Sequence, residues 1–254
     1  MKIIIPRLPL LLSLFFFLFI LFFFFSSSSF HRKTIFQNAE TTPSGDLRIR
    51  KGYTSYDAYI HHQLKKSLNP KLRKIWTTRD WDRKVRVFAI FFQSLKQRGL
   101  LFNESKALSI GARVGQEVAG LRKVGVADSV GMDLVPCPPL VVEGDFHAQP
   151  FKDESFDFEF SNVFDHALYP EKFVREVERT LKGGGICVLH VALSRRSDKY
   201  SANDLYSVRP LVEMFKESEL MEVKKVDGFG LDTEVVFRKK MKKMMKMTIM
   251  EETN

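Results

Sequence analysis

Apolar residues follow three rhythms along this chain, and each predicts a different kind of element. From Leu8 to Phe25 they run almost unbroken, LPLLLSLFFFLFILFFFF, with no charge. Eighteen helical residues reach roughly 27 Å, which nearly matches a hydrocarbon core of about 30 Å. A stripe this uniform has no polar face to turn from a globular core. Residues 1–25 are therefore expected to form a transmembrane signal anchor. The competing reading is a cleaved signal peptide, which would leave the rest secreted, but such apolar regions usually run about 7–15 residues. Lys2 and Arg7 before the run nearly balance Arg32 and Lys33 after it, so charge sets the orientation only weakly. The α-amino group tips the N-terminus toward the cytosol and the remainder toward the lumen. Residues 26–52 are polar, contain Pro43, Ser44 and Gly45, and read as a linker.

The second rhythm is helical. Residues 53–100 suit N-terminal helices. Val85, Phe88, Ala89, Phe92 and Leu95 keep i, i+3, i+4, i+7 spacing; Asp80 is placed to cap that helix and Gly99 to end it. Trp76 and Trp81 flank its start as packing anchors.

The third rhythm, over 101–240, alternates short apolar runs with amphipathic segments. Strands are expected at Ala107–Ile110, within Val124–Met132, at Val141 and Val142, at Phe156–Phe160 and at Ile186–Leu193. Helices are expected at Gln116–Leu121, Glu171–Leu181 and Arg209–Ser218, the second stopped by Gly183, Gly184 and Gly185. Two late strands near Val223 and Val235 flank a turn at Asp227–Gly230. Alternating strands and helices imply right-handed crossovers and a sheet covered on both faces. The fold class is α/β: a Rossmann-like, doubly wound, mostly parallel sheet with an antiparallel C-terminal edge strand, plus the N-terminal transmembrane helix. Residues 53–240 make the domain and 241–254 a basic, Met-rich tail.

Charge changes this picture little. The net charge is +10, yet without Arg238, Lys239, Lys240, Lys242, Lys243 and Lys246 only +4 remains. Basicity belongs to the tail, which suits a solvated end or lipid headgroups, and nucleic acid is an improbable partner. The two cysteines, Cys137 and Cys187, form no disulfide framework and fit no zinc spacing; Cys187 reads as a core residue and no metal is expected.

Candidate chemistry collects at strand ends, where doubly wound sheets bind ligands. Gly111 and Gly115 bracket the turn after the first strand of the sheet, where glycine lets backbone approach a ligand. Asp133 ends the second, and a carboxylate there can accept from two ribose hydroxyls. Asp145 with Phe146 follows the third, placing a carboxylate and an aromatic ring for a base. Ser161 and Asn162 end the fourth and would floor the pocket. Taken singly, each is also an ordinary turn or Asx residue. Asp165, His166 and Tyr169 could face a substrate, and no catalytic residue is assigned. His61 and His62 read as a solvated helix face.

From Lys106 to about Lys239 the chain resembles the class I S-adenosylmethionine-dependent methyltransferases, the type 11-like subgroup in particular. It is also similar to plant membrane-anchored methyltransferase-like proteins. The stretch Gly144–Gly185 carries the resemblance best, with GMDLVP over Gly131–Pro136 and the first motif over Ala107–Gly115. The resemblance implies S-adenosylmethionine as cofactor, its ribose on Asp133 beside Leu134 and its adenine on Asp145 and Phe146. The first motif departs from the family at two positions. Ser109 stands where an acidic residue usually orders the cationic methionine end, and Arg113 stands for the middle glycine. The implied function is methyl transfer to a small molecule or glycan by a single-pass membrane protein of the endomembrane system. The alternative is a non-catalytic binding or regulatory protein on the same fold.

Overall fold

The computed structural model describes residues 45–193 and 198–241. The anchor over 1–25, most of the linker and most of the tail lie outside these residues. Among the described residues, no helix is long and apolar enough to cross a membrane.

Three helices open the domain: α1 (Tyr56–Ser67), α2 (Pro70–Thr77) and α3 (Trp81–Gln97). Ser55 and Asn69 accept backbone N–H groups as caps of α1 and α2. Asp80 holds the cap position of α3 but makes no side-chain cap hydrogen bond, contrary to expectation. Gly99 does end α3: its φ is +68°, and the Leu100 N–H closes back on the Leu95 carbonyl at 3.0 Å, a glycine-dependent helix stop.

A short strand, β1 (Leu47–Ile49), precedes α1. The main sheet holds β2 (Ala107–Ile110), β3 (Ser129–Asp133), β4 (Val141–Glu143), β5 (Phe156–Ser161), β6 (Leu181–Val191), β8 (Ser218–Gly228) and β9 (Leu231–Lys239). Between them lie α4 (Gln116–Lys123), α5 (Pro170–Thr180), β7 (Asn203–Leu205) and α6 (Arg209–Met214). The spatial order is β4-β3-β2-β5-β6-β9-β8. The first five strands are parallel, and β9 and β8 close the sheet antiparallel. Strand order reverses between β2 and β5, which makes their carboxyl ends the switch point.

Strand alternation sorts the core onto two faces. Cys187 and Leu189 of β6 and Val235 and Phe237 of β9 face the side of α5 and α6. Ile186, Val188 and Val236 face α3, whose Phe88 and Phe92 are fully buried. Gly120 lets α3 and α4 approach, because a Cβ there would lie 2.8 Å from Phe88 Cβ.

Three expectations need correction. Residues 47–49, read as linker, form β1 and pair antiparallel with β7; Arg48 and Arg50 clasp Asp204 at 2.8 and 2.6 Å. Gly183–Gly185 do not stop a helix. α5 ends at Thr180, where the Glu154 and Ser155 N–H groups take the Arg179 and Thr180 carbonyls, and the glycines lie inside β6. The helix expected over Arg209–Ser218 ends at Met214.

One buried charge stands out on β5. Glu159 is fully buried, and burial pushes its carboxyl pKa up to about 8. Its Oε1 lies 2.7 Å from Thr180 Oγ1, which also lies 2.8 Å from the Glu176 carbonyl. A neutral Glu159 can donate to that hydroxyl while the hydroxyl donates onward. The folded pKa exceeds the unfolded one, so this group's stabilisation is complete below the unfolded value of about 4.5 and fades as pH rises toward 8. Thermal melts from pH 5 to 8 should show Glu159→Gln losing less stability with pH than the wild type. Parallel profiles would mean that Glu159 is ionised in the fold.

Candidate functional site

The backbone between β2 and α4 is stitched to β3. The Gly111 and Ala112 N–H groups donate to the Met132 carbonyl at 2.8 and 3.0 Å. The Arg113 N–H donates to Asp133 Oδ2 at 2.9 Å, and Asp133 Oδ1 accepts the Val135 N–H at 3.3 Å. Gly111 has φ +76°, and a Cβ there would overlap the Val163 side chain. Glycine is required on both counts.

A cavity of about 400 Å³ opens over this loop at the ends of β2, β3 and β5. Of the expected residues, Gly111, Asp133, Leu134, Phe146 and Asn162 line it. Ser109, Gly115 and Asp145 do not. Ser109 is buried inside β2. Gly115, with φ +90°, starts α4, where a Cβ would lie 2.6 Å from Leu140 Cβ. The Asp145 carboxylate accepts from the Tyr56 hydroxyl and, at 2.9 Å, from the His147 N–H. Burial alone would raise its pKa, but the His147 and Tyr56 hydrogen bonds outweigh it and hold the carboxyl below its ordinary value. Of this pair Phe146 lines the cavity, its ring braced edge-on by Phe173 at 5.4 Å. Ser161 turns inward to the Ile110 carbonyl at 3.2 Å.

Asp133 is nine-tenths buried. Desolvation raises its pKa, opposed by the Arg113 and Val135 N–H groups. A carboxylate fixed by two backbone donors retains lone pairs for a ligand diol.

His166 and Asp165, named as possible substrate contacts, line the far wall. Tyr169 does not; it stacks on Tyr56 at 5.6 Å. Gln63 Nε2 donates to the Tyr200 carbonyl at 2.7 Å, which leaves Gln63 Oε1 to accept from His166 Nδ1 at 3.0 Å. That assignment puts the proton on Nδ1 and the lone pair on Nε2. Burial lowers the His166 pKa, so the neutral form dominates at neutral pH. Nε2 lies 3.4 Å from Lys66 Nζ, which pairs with Asp198 at 3.0 Å.

The wall residues that sequence reasoning missed come from the helices and from connections between strands: Gln63, Lys66 and Ser67 of α1, Lys84 of α3, Val163, Ala192 and Asp198, and the turn from β8 through Phe229 and Gly230 into Leu231 of β9. The spacing of Gln63, Lys66 and Ser67 on one helical face was the available signal, but such a stripe also describes a solvated face. Among the described residues, no group of three or more His, Cys, Asp or Glu could hold a metal ion.

Of the two departures in the first motif, the one at Arg113 resolves physically. Arg113 keeps a glycine-like φ of 50°. Its guanidinium lies 3.6 Å from Glu117 Oε1 and 5.6 Å from the Trp76 ring. Glu117 is 1% exposed, its Oε2 has no partner, and burial raises its pKa. Glu117 Oε1 also takes the Asn162 amide at 3.4 Å, leaving the Asn162 oxygen for a ligand. Arg113 thus lines the cavity with its charge opposed by a buried carboxylate.

A family model described as a methyltransferase domain matches residues 108–189. An uncharacterized protein of Methanocaldococcus jannaschii is 31% identical over 88 residues, 30% of this chain and 43% of that protein. The chain thus spans less than half the length of that relative. Among solved structures, Burkholderia thailandensis 1,6-didemethyltoxoflavin-N1-methyltransferase superposes with a TM-score of 0.57 at 15% identity. That match covers 76% of this chain and 95% of that one, whose structure holds 1,6-didemethyltoxoflavin and S-adenosylhomocysteine. The putative Haloferax volcanii methyltransferase complexed with its Trm112 activator superposes at 0.52 and 17% identity, over 71% and 97% of the two chains. The described domain has the methyltransferase fold.

Arg113→Gly should relieve about 1 kcal/mol of left-handed strain yet destabilise the domain by about 3 kcal/mol, the low end for stripping a buried carboxylate of its partner. Adding Glu117→Gln should restore most of that loss. Urea unfolding of the two single variants and the double variant gives the coupling; strictly additive effects would show that the pair does not interact.

Proposed function

We propose that this chain is an S-adenosylmethionine-dependent methyltransferase acting on a small molecule. The observation that carries the reading is Asp133. It ends β3, lines the cavity beside Gly111, and is held by the backbone of the glycine loop. A ribose diol is the ligand group that such a carboxylate fits best.

The residues present suit the cofactor. Asp133 would hold the ribose, Phe146 and Leu134 would flank the base, and Gly111 would let backbone approach the chain between them. When bound, S-adenosylmethionine supplies an electrophilic methyl group on a sulfonium sulfur. The protein's share is chiefly alignment of the acceptor against that methyl. His166 lines the cavity with Nε2 3.4 Å from Lys66 Nζ; an acceptor hydroxyl or N–H that takes the place of that ammonium would find a base there. The cavity of about 400 Å³, at the small end for ligand sites, would also have to hold the cofactor, which favours a small acceptor over a glycan chain. The Burkholderia neighbour's small-molecule substrate points the same way.

The second reading, a binding protein that retains the fold without turnover, is favoured by one observation. Ser109 leaves the wall without the carboxylate expected there. We also propose that residues 8–25 anchor the chain in an endomembrane, supported by their length and lack of charge.

Calorimetry on the purified full chain should detect S-adenosylhomocysteine at micromolar Kd. Losing one charge-assisted contact of about 1.5–3 kcal/mol, Asp133→Ala should bind at least tenfold more weakly. The absence of both binding heat and a melting shift at millimolar ligand would defeat the enzyme reading. Tight binding without release of S-adenosylhomocysteine from labelled cofactor, across a panel of phenols, hydroxy acids and amines, would favour the binding protein.

A further inference from the structure

Lys84 lines the cavity and has no part in the proposed cofactor or acceptor contacts. It sits in the first turn of α3, is 7% exposed, and lines the cavity on the glycine-loop side. Its ammonium has no hydrogen bond or ion pair with any described residue. The nearest recorded partner is the Phe229 ring, 5.3 Å away. Arg113 and Arg83 repel it, while Glu117 and Asp80 attract it from beyond ion-pair distance. Burial, with Arg113, brings its pKa down to about 8. A desolvated cation with no carboxylate partner costs folding stability, and such costs concentrate where a ligand repays them.

We infer that Lys84 is an anion-binding residue and that the anion it takes is the carboxylate of the cofactor's methionyl chain. This rests on the proposed function. Three placements favour that carboxylate. Asp133 would take the ribose, from which the methionyl chain extends away from the adenine. Lys84 stands beside Arg113 of the glycine loop and Glu117 in the first turn of α4, where the amino-acid tail would lie. Glu117 holds the Asn162 amide so that the oxygen is left for the neighbouring ammonium. A carboxylate on the methyl acceptor is the other source of the same chemistry.

Three ligands on the full chain separate these outcomes: S-adenosylhomocysteine, its decarboxylated form, and 5′-methylthioadenosine, which lacks the amino-acid group. Wild type should bind S-adenosylhomocysteine at least tenfold more tightly than the decarboxylated form. Lys84→Met should abolish that preference and leave 5′-methylthioadenosine affinity within twofold, which also reports an intact fold. Lys84→Arg should keep most of the preference. The methionine variant should melt higher than wild type at pH 7 without ligand, because the buried charge is gone. Since burial, with Arg113, brings the Lys84 pKa down to about 8, the wild-type preference should shrink between pH 7 and 8.5, below the titration of the ligand's own ammonium, while the variant should show no such pH-dependent preference. Equal loss for all three ligands would make Lys84 structural and overturn the inference. Unchanged S-adenosylhomocysteine affinity in Lys84→Met, with benzoate stabilising wild type alone, would assign the ammonium to an acceptor carboxylate and also overturn it. If wild type binds none of the three, the methyltransferase reading itself falls; if it binds all three equally, only the role of Lys84 does.

Discussion

The hydrogen bond from the Arg113 N–H to the Asp133 carboxylate joins the two strand tips on which the site is built. Without it, the turn after β2 would be tied to β3 only through Gly111 and Ala112 on the Met132 carbonyl. With it, a carboxylate whose pKa burial raises is held in a backbone cradle that opposes the rise. The same contact fixes the left-handed conformation at Arg113. The loop is also wedged from the other side, because Val163 occupies the space that a side chain at Gly111 would need. Loop geometry, cavity shape and carboxylate position are thus one constraint rather than three.

Much of this was legible in the sequence, for identifiable reasons. ALSI at 107–110 and FDFEFS at 156–161 are bounded apolar segments, and their strand ends place Gly111 and Asn162 without tertiary information. Asp133 was legible because it closes a buried strand and falls in sequence with the glycine turn before it and the strand ends after it, although alone it also fits a turn residue. Asp145 was misleading: the same logic applied, but Tyr56, from a helix far upstream, occupies its carboxylate. Sequence spacing does not reveal a partner 89 residues away.

The hidden elements share a cause. β1 and β7 are three residues each, too short for any period to register, and their pairing is secured by Arg48 and Arg50 on Asp204. The three glycines after α5 resemble a helix stop. The helix instead ends because Glu154 and Ser155 capture its last carbonyls, a tertiary event. Lys84 and Lys66 sit on helices where lysine is unremarkable; only burial distinguishes them.

The electrostatic balance of the loop explains how two apparent defects coexist with an intact cavity. The pattern that the chain resembles puts an acid at 109 and no charge at 113. Here Ser109 is neutral, and Arg113 is opposed by Glu117 rather than left free. The pair adds no net charge, but the wall lacks the acid, and Lys84 adds a cation. Relative to that pattern the wall shifts toward positive. A zwitterionic amino-acid tail would then be gripped less by its ammonium and more by its carboxylate. In a desolvated site, where Coulomb interactions are strong, such an exchange can conserve affinity while changing which end of the ligand carries it.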